Sequence, residues 1–251
     1  MKIPSVKELH AMTAKPSEKK KSAQKKVIRY ISTCITRILL YTPATANQVT
    51  TFMIFLGIFA SVLFAFSSQA LSIAGALLLY IWILLDHVDG QVARFRKVTS
   101  YKGYFLDYMS GYITEATLFL FISIGVYKDF PSLLTIICGL MTVACIPLYR
   151  VVRDSRYALH SSFVLKHGKK FEKGYKVGKA LTIMMRFFEK EREKPTFFFN
   201  LFKISHLVFI FAILDMMHIL FFAYAIMYPL RLAVVISYQY SEGTPFVNSK
   251  Q

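Results

Sequence analysis

Three carboxylates in this chain have the type and spacing to do chemistry: Asp86, Asp89 and Asp107. They stand where one apolar run, Ala70 to Leu85, gives way to the next. On helices, Asp86, Asp89, Gly90, Ala93 and Arg94 share one face, and Gly103, Asp107 and Gly111 share another. The segment between the two faces is short. It predicts antiparallel neighbouring helices whose small residues let the backbones approach closely. Carboxylates converging in such a cleft cannot all stay ionised without a cation. Hard oxygen donors select Mg²⁺, Mn²⁺ or Ca²⁺, and with phosphates in the substrate Mg²⁺ (or Mn²⁺) comes first. A lone Asp at a helix end reads more simply as solvated, and Asp89 with Arg94 as an ordinary ion pair. A set registered on two faces weighs against that reading, because ionisable groups at a membrane helix mouth are costly and mark function.

The elements that must position these residues are membrane spans. Of 251 residues, 55% are hydrophobic and mean hydropathy is +0.45, with several runs near the ~20 residues that cross a bilayer. The formal charge is +17, from 31 Lys and Arg against 14 Asp and Glu. Such an excess suits nucleic acid or anionic lipid; basic residues spaced between apolar runs favour lipid and argue against nucleic acid. Cys34, Cys138 and Cys145 have no metal-ligand spacing and suggest no disulfide framework. No apolar stretch typical of a cleavable signal peptide appears in the first twenty residues.

The expected fold is an all-α integral membrane protein: six transmembrane helices preceded by a cytoplasmic amphipathic interfacial helix. Residues 1–46 comprise a basic tail, read as disordered or lying on the headgroups, and an amphipathic helix from Val27 to Tyr41 with Arg29, Ser32, Thr33 and Thr36 on its wet side. Thr42-Pro43 ends that helix. Residues 47–238 form the transmembrane domain. Its spans run from Val49 to Phe66, Ala70 to Asp89, Gly103 to Val126 and Pro131 to Val152, with two more between Thr196 and Tyr238 that turn near Asp215. Pro147 should kink the fourth. A basic segment, 150–194, separates spans four and five and carries an interfacial apolar set of Leu181, Ile183, Met184, Phe187 and Phe188. Residues 239–251 are a tail. The Lys and Arg distribution places both termini, and the Asp86 end of the second span, on the cytoplasmic side of a cell or endoplasmic-reticulum membrane.

The spacing D-x2-D-G-x2-A-R-x8-G-x3-D-x3-D is the signature of the CDP-alcohol phosphotransferases, also called CDP-alcohol phosphatidyltransferases. This chain resembles it at Asp86, Asp89, Gly90, Ala93, Arg94, Gly103 and Asp107. Asn47 and Thr50 resemble the family's Pro-Asn-x-x-Thr entry to the first span, with Ala46 in the proline's place. The resemblance implies transfer of a phosphoalcohol group from a CDP-alcohol to an acceptor hydroxyl, with release of CMP, in phospholipid biosynthesis. It also implies Asp86, Asp89 and Asp107 as metal ligands, and room for the nucleotide at Gly90 and Ala93. Arg94 would meet phosphate, Gly103 would pack at the cytidine side, and the protein would be a homodimer. The fourth Asp of the pattern, the family's proposed base, is Gly111 here. Three readings follow: a base from elsewhere, with Glu115 one turn on as the nearest carboxylate; an acceptor needing no such base; or binding without turnover.

Among the weaker candidates, His87 lies about 100° from the motif Asp residues on a helix. Arg150, Arg153 and Arg156 suit an acceptor phosphate or anionic lipid alike, Arg231 snorkels or faces the cavity, and His206 and His218 have no ligand spacing. CDP-diacylglycerol is the expected donor, with a soluble CDP-alcohol as the alternative. A nucleotide- and metal-binding homologue without catalysis, or a transporter, are the non-enzyme readings. Clustering of the charges at one face, away from the bilayer midplane, disfavours the transporter.

Overall fold

A computed structural model describes residues 3–14, 23–98, 100–167 and 201–242. Every regular element among them is a helix: α1 (Val6–Met12), α2 (Ala23–Leu39), α3 (Ala46–Val62), α4 (Gln69–Arg96), α5 (Tyr101–Asp129), α6 (Leu133–His167), α7 (Leu201–Ile213) and α8 (Met217–Glu242). Five helical stretches are long and apolar enough to cross a bilayer: Ala46–Phe66, Gln69–Arg96, Tyr101–Asp129, Leu133–Ser155 and Met217–Tyr240. α7 is apolar but has only 13 described residues, about 20 Å of helix. The chain is thus a multi-pass, all-α membrane protein. The expected break near Asp215 is present, with Asp215 left-handed (φ 57°) between α7 and α8. The apolar set at 181–188 lies outside the described residues.

Local chemistry fixes the helix ends nearest the motif. Thr45 caps α3: its hydroxyl accepts from Gln48 N, and the Gln48 side chain accepts from Thr45 N at 2.8 Å. α4 stops where Lys97 turns left-handed (φ 54°). Val98 N then bonds Ala93 O and Lys97 N bonds Arg94 O, a Schellman closure made without glycine. Ser100 caps α5 by accepting from Gly103 N. Stop and start signals, Lys97 and Ser100, lie three residues apart, which makes the reversal tight.

Two expectations are corrected at the N-terminal end. The tail is not featureless: Ser5 and Glu8 form a capping box that starts α1, and α1 packs on α2 with Leu9 fully buried. The polar stripe of α2 is also dry. Arg29, Ser32, Thr33 and Thr36 are buried, while Val27, Tyr30, Ile31 and Ile38 are exposed. Those polar groups bond inward: Ser32 to the Leu84 carbonyl, Thr36 to the Gln91 side chain (2.8 Å), and Thr33 to His10. A helix lying beside lipid turns its apolar side outward and satisfies its polar side on the protein.

The spans pack in an order that matters for the site. α3 lies against both α4 and α5, α6 against α5 and α8, and α7 against α4 and α8, whereas α4 and α5 are not close-packed on each other. The expected α4–α5 pair is therefore split, with α3 between its members. The main core gathers Phe119, Ile122, Ile146, Phe221, Tyr224 and Tyr228 from α5, α6 and α8. Large apolar residues such as Phe52, Phe55, Phe59, Leu133 and Leu140 point outward, as lipid-facing positions do.

Candidate active site

α3 joins the two carboxylate-bearing helices. Near its start, Thr50 is buried and donates to Asp89 Oδ2 on α4 at 2.7 Å. One turn earlier Asn47 abuts α5: a Cβ added at Gly103 would lie 2.8 Å from Asn47 Oδ1. Gly103 thus serves the approach of α3 to α5, where the sequence had suggested α4 to α5. Asp89 is only 6% exposed, and the charges of both Asp86 and Asp107 act on it. Asp86 is half-buried and lies 3.7 Å from His87, whose Nδ1 donates to the Ile83 carbonyl. Asp107 is exposed. Ala93 and Gly90 follow on α4, with the Arg94 guanidinium 3.1 Å from where a Gly90 Cβ would stand.

Sequence reasoning missed the group that holds Arg94. Its Nε donates to the Thr13 carbonyl at 3.0 Å, at the C-terminal end of α1. Beside it Arg29 Nη2 donates to the His10 carbonyl (3.2 Å), and Arg37 Nε to the Pro4 carbonyl. Burial and the nearby Arg94 charge push the Arg29 guanidinium below its ordinary value. Burial first, then Arg29, pushes the His10 imidazole down. The S-x-x-E pattern at Ser5 and Glu8 was the available signal for α1; nothing in the spacing pointed to its partner.

A second polar cluster lies between α5, α6 and α8. Glu115 is 1% exposed; one oxygen accepts from Arg150 and the other from the Tyr228 hydroxyl (2.5 Å). The Arg150 guanidinium also covers the Tyr112 ring at 3.6 Å. Arg153 bonds Asp154 (3.0 Å) and the Tyr112 hydroxyl, and both Tyr108 and Tyr112 donate to Asp154. Arg231 is buried, donates to the Tyr149 hydroxyl at 2.7 Å and stacks on its ring. Two of the arginines considered for an acceptor phosphate thus pair with carboxylates of the protein, and the Arg156 side chain lies outside the described residues. Glu115 is turned to Arg150 and Tyr228. Tyr104, Tyr108 and Tyr112 recur every four residues on α5, a stripe the sequence displayed and whose partner Asp154 it did not reveal.

At position 111 the space is open: an added Cβ would meet nothing within 4 Å. Among the described residues no group of three or more His, Cys, Asp or Glu is arranged to hold a metal ion. Asp86, Asp89 and Asp107 are all-oxygen side chains of the type a hard divalent cation takes, and the charges of Asp86 and Asp107 act on the buried Asp89. The family model described as CDP-alcohol phosphatidyltransferase matches residues 43–237, about three-quarters of the chain. No curated protein matches the chain.

Proposed function

Because the chain belongs to the CDP-alcohol phosphatidyltransferase family, we propose that it moves a phosphatidyl group from CDP-diacylglycerol to an acceptor hydroxyl and releases CMP. The family's chemistry is transfer from a CDP-alcohol and is generally divalent-metal dependent. The observation that carries the reading is the buried Asp89, bonded to Thr50 and acted on by Asp86 and Asp107, with Arg94 on the same helical face.

In this proposal Asp86, Asp89 and Asp107 hold Mg²⁺ (or Mn²⁺), which when bound neutralises charge on the donor diphosphate. Thr50 fixes the Asp89 carboxylate through its Oδ2. Arg94 receives a phosphate oxygen and, in the transition state, the charge growing on the departing CMP. Gly90 and Ala93 leave room for the nucleotide, and Asn47 with Gly103 closes the α3–α5 side. The acceptor oxygen attacks the phosphorus that carries the lipid alcohol; the bond from that phosphorus to the CMP oxygen breaks, and the hydroxyl proton passes to water or to the departing CMP phosphate. The two-tailed donor suits a site at the end of a span bundle whose outer faces are apolar. The positive-inside distribution of Lys and Arg supports a cytoplasmic position for that end.

Gly111, with nothing near its Cβ position, favours a second reading in which the protein binds nucleotide and metal without turnover. One experiment separates the two. Purified protein in detergent is given CDP-diacylglycerol or soluble CDP-alcohols, with a panel of hydroxyl acceptors, with and without Mg²⁺. Mg²⁺-dependent CMP release together with a new phospholipid supports the transferase. Mg²⁺-dependent CDP binding with no CMP release supports the binder. Release from CDP-choline or CDP-ethanolamine alone moves the donor to the soluble class.

A further inference from the structure

The region that matches the family begins at residue 43. α1 and the residues flanking it, 3–14, lie wholly outside it, yet they reach the motif. We propose that α1 is a positioning element of the active site: its C-terminal carbonyls hold the Arg94 guanidinium, through Nε, in the orientation that offers the remaining nitrogens to the donor's phosphates. This rests on the reading of Arg94 as a phosphate ligand given above.

Four observations converge. First, α1 is docked: Leu9 and Thr13 are fully buried, and Pro4 and His10 are tied to Arg37, Arg29 and Thr33 of α2. Second, what it offers to the site is the carbonyl end of a helix. The last carbonyls of a helix have no partner within it and carry its partial negative charge, so they attract cations. Here His10 O takes Arg29 and Thr13 O takes Arg94. Third, Arg29 and Arg94 are near enough for their charges to oppose each other. Two guanidinium groups held close need either such carbonyls or an anion to stay there. Fourth, Arg94 is only partly committed by this bond. A guanidinium is a planar fork of five N–H donors, and fixing the Nε edge sets the plane of the rest. Meanwhile Asp89, five residues earlier on α4, draws on the same cation through its charge.

The arrangement explains why a polar, lysine-rich N-terminal region contains one short, well-capped helix. The Ser5–Glu8 capping box starts α1, and the Thr13 hydroxyl, bonded to the Leu9 carbonyl, closes its end. α1 is too short to persist alone in water. Its docking through Leu9 is therefore what places the Thr13 carbonyl.

The test is a double-variant cycle in the full-length protein read by binding, so that it does not depend on turnover. Mg²⁺-dependent CDP affinity is measured for wild type, Leu9→Glu, Arg94→Lys and the pair. Leu9→Glu places a charge in the α1–α2 contact and undocks α1 while leaving the spans intact, which an unchanged thermal transition of the spans verifies. Leu9→Asn serves as a milder variant should Leu9→Glu lower the yield. The expected result is a loss of CDP affinity of about tenfold in Leu9→Glu, comparable to the loss of one charge-assisted hydrogen bond. In the Arg94→Lys background, where no Nε remains to be held, undocking should cost almost nothing further. If acceptor transfer is measured as well, KM for the donor rises and KM for the acceptor does not. Unchanged CDP affinity in both Leu9 variants, or losses that simply add in the pair, overturns the inference and leaves the reading of Arg94 standing. Failure of the wild type to bind CDP at all overturns that reading, and this inference with it.

Discussion

Replacing Glu115 by Ala tests whether this carboxylate acts as a base or as structure. Its side chain is about 2% exposed and its ion-pair partner Arg150 about 20%. The Ala variant leaves Arg150 without its counter-charge and the Tyr228 hydroxyl without its acceptor. Breaking one side of a buried pair costs about 3–5 kcal/mol. The partial exposure of Arg150 places the value near the lower end, and the lost Tyr228–Glu115 hydrogen bond raises it again by about 1 kcal/mol. For a chain of this size each kcal/mol moves the thermal midpoint by about 2–4 °C, so Glu115→Ala should melt roughly 6–20 °C below wild type in detergent. Adding Arg150→Met to it should recover most of the loss, because an apolar pair of similar volume replaces a buried ion pair at little cost. A Glu115→Ala protein that melts within about 2 °C of wild type, yet loses the ~10²–10⁴ in rate expected of a general base, would refute this reasoning. It would give Glu115 the catalytic role that its position after Gly111 first suggested.

The other expectations concern the site and its cover. Thr50→Val removes the hydroxyl that bonds Asp89 and strands a buried carboxylate oxygen, so equilibrium unfolding should show a loss of about 1–3 kcal/mol, with Thr50→Ser retaining most of it. Gly111→Asp enters open space, so without metal its melting point should stay close to wild type; if the motif carboxylates bind Mg²⁺, added Mg²⁺ should raise it by more than in wild type. α1 docking should weaken in acid. The docked pKa of His10 is lowered from 6.5, so the undocked segment takes up the proton more readily, and docking is lost as pH falls through about 6.5. Hydrogen exchange of the α1 amides between pH 8 and 5 measures this, and His10→Gln should flatten the dependence.

The spans were legible in the sequence because runs of apolar residues near 20 long admit few alternatives, and the carboxylate motif because its positions repeat at fixed helical offsets. Neighbour relations were not legible. Asp86 to Gly111 predicts two helices joined by a short turn, but not that α3 lies between them. Small residues at Gly90, Ala93 and Gly103 report only that something approaches, and for Gly103 that something is Asn47. The side of α2 that faces water was misassigned for a related reason. A polar stripe reads as wet whenever no partner is in view, and the partners of Ser32, Thr36 and Arg29 lie 52, 55 and 19 residues away. Glu115 and Arg150 are separated by 35 residues, and only the packing of α6 on α5 joins them.

That packing also separates two polar clusters that a linear reading merges. Around Glu115 and Asp154 the charges alternate: each carboxylate sits between an arginine and tyrosine hydroxyls, and the bonds close within the protein. Around Asp89 like charges face one another: those of Asp86 and Asp107 both act on it, while Thr50 holds it in place. A buried cluster that balances itself has little to gain from a ligand. One that concentrates charge of one sign gains by taking up a cation, and with it an anion that the cation and Arg94 share. The difference lies in how the side chains pair, since both clusters hold carboxylates and arginines and both draw on α5. It is what supports the proposal of a diphosphate site at the α3–α4–α5 end, with the α5–α6–α8 cluster as the frame that holds α5 in register behind it.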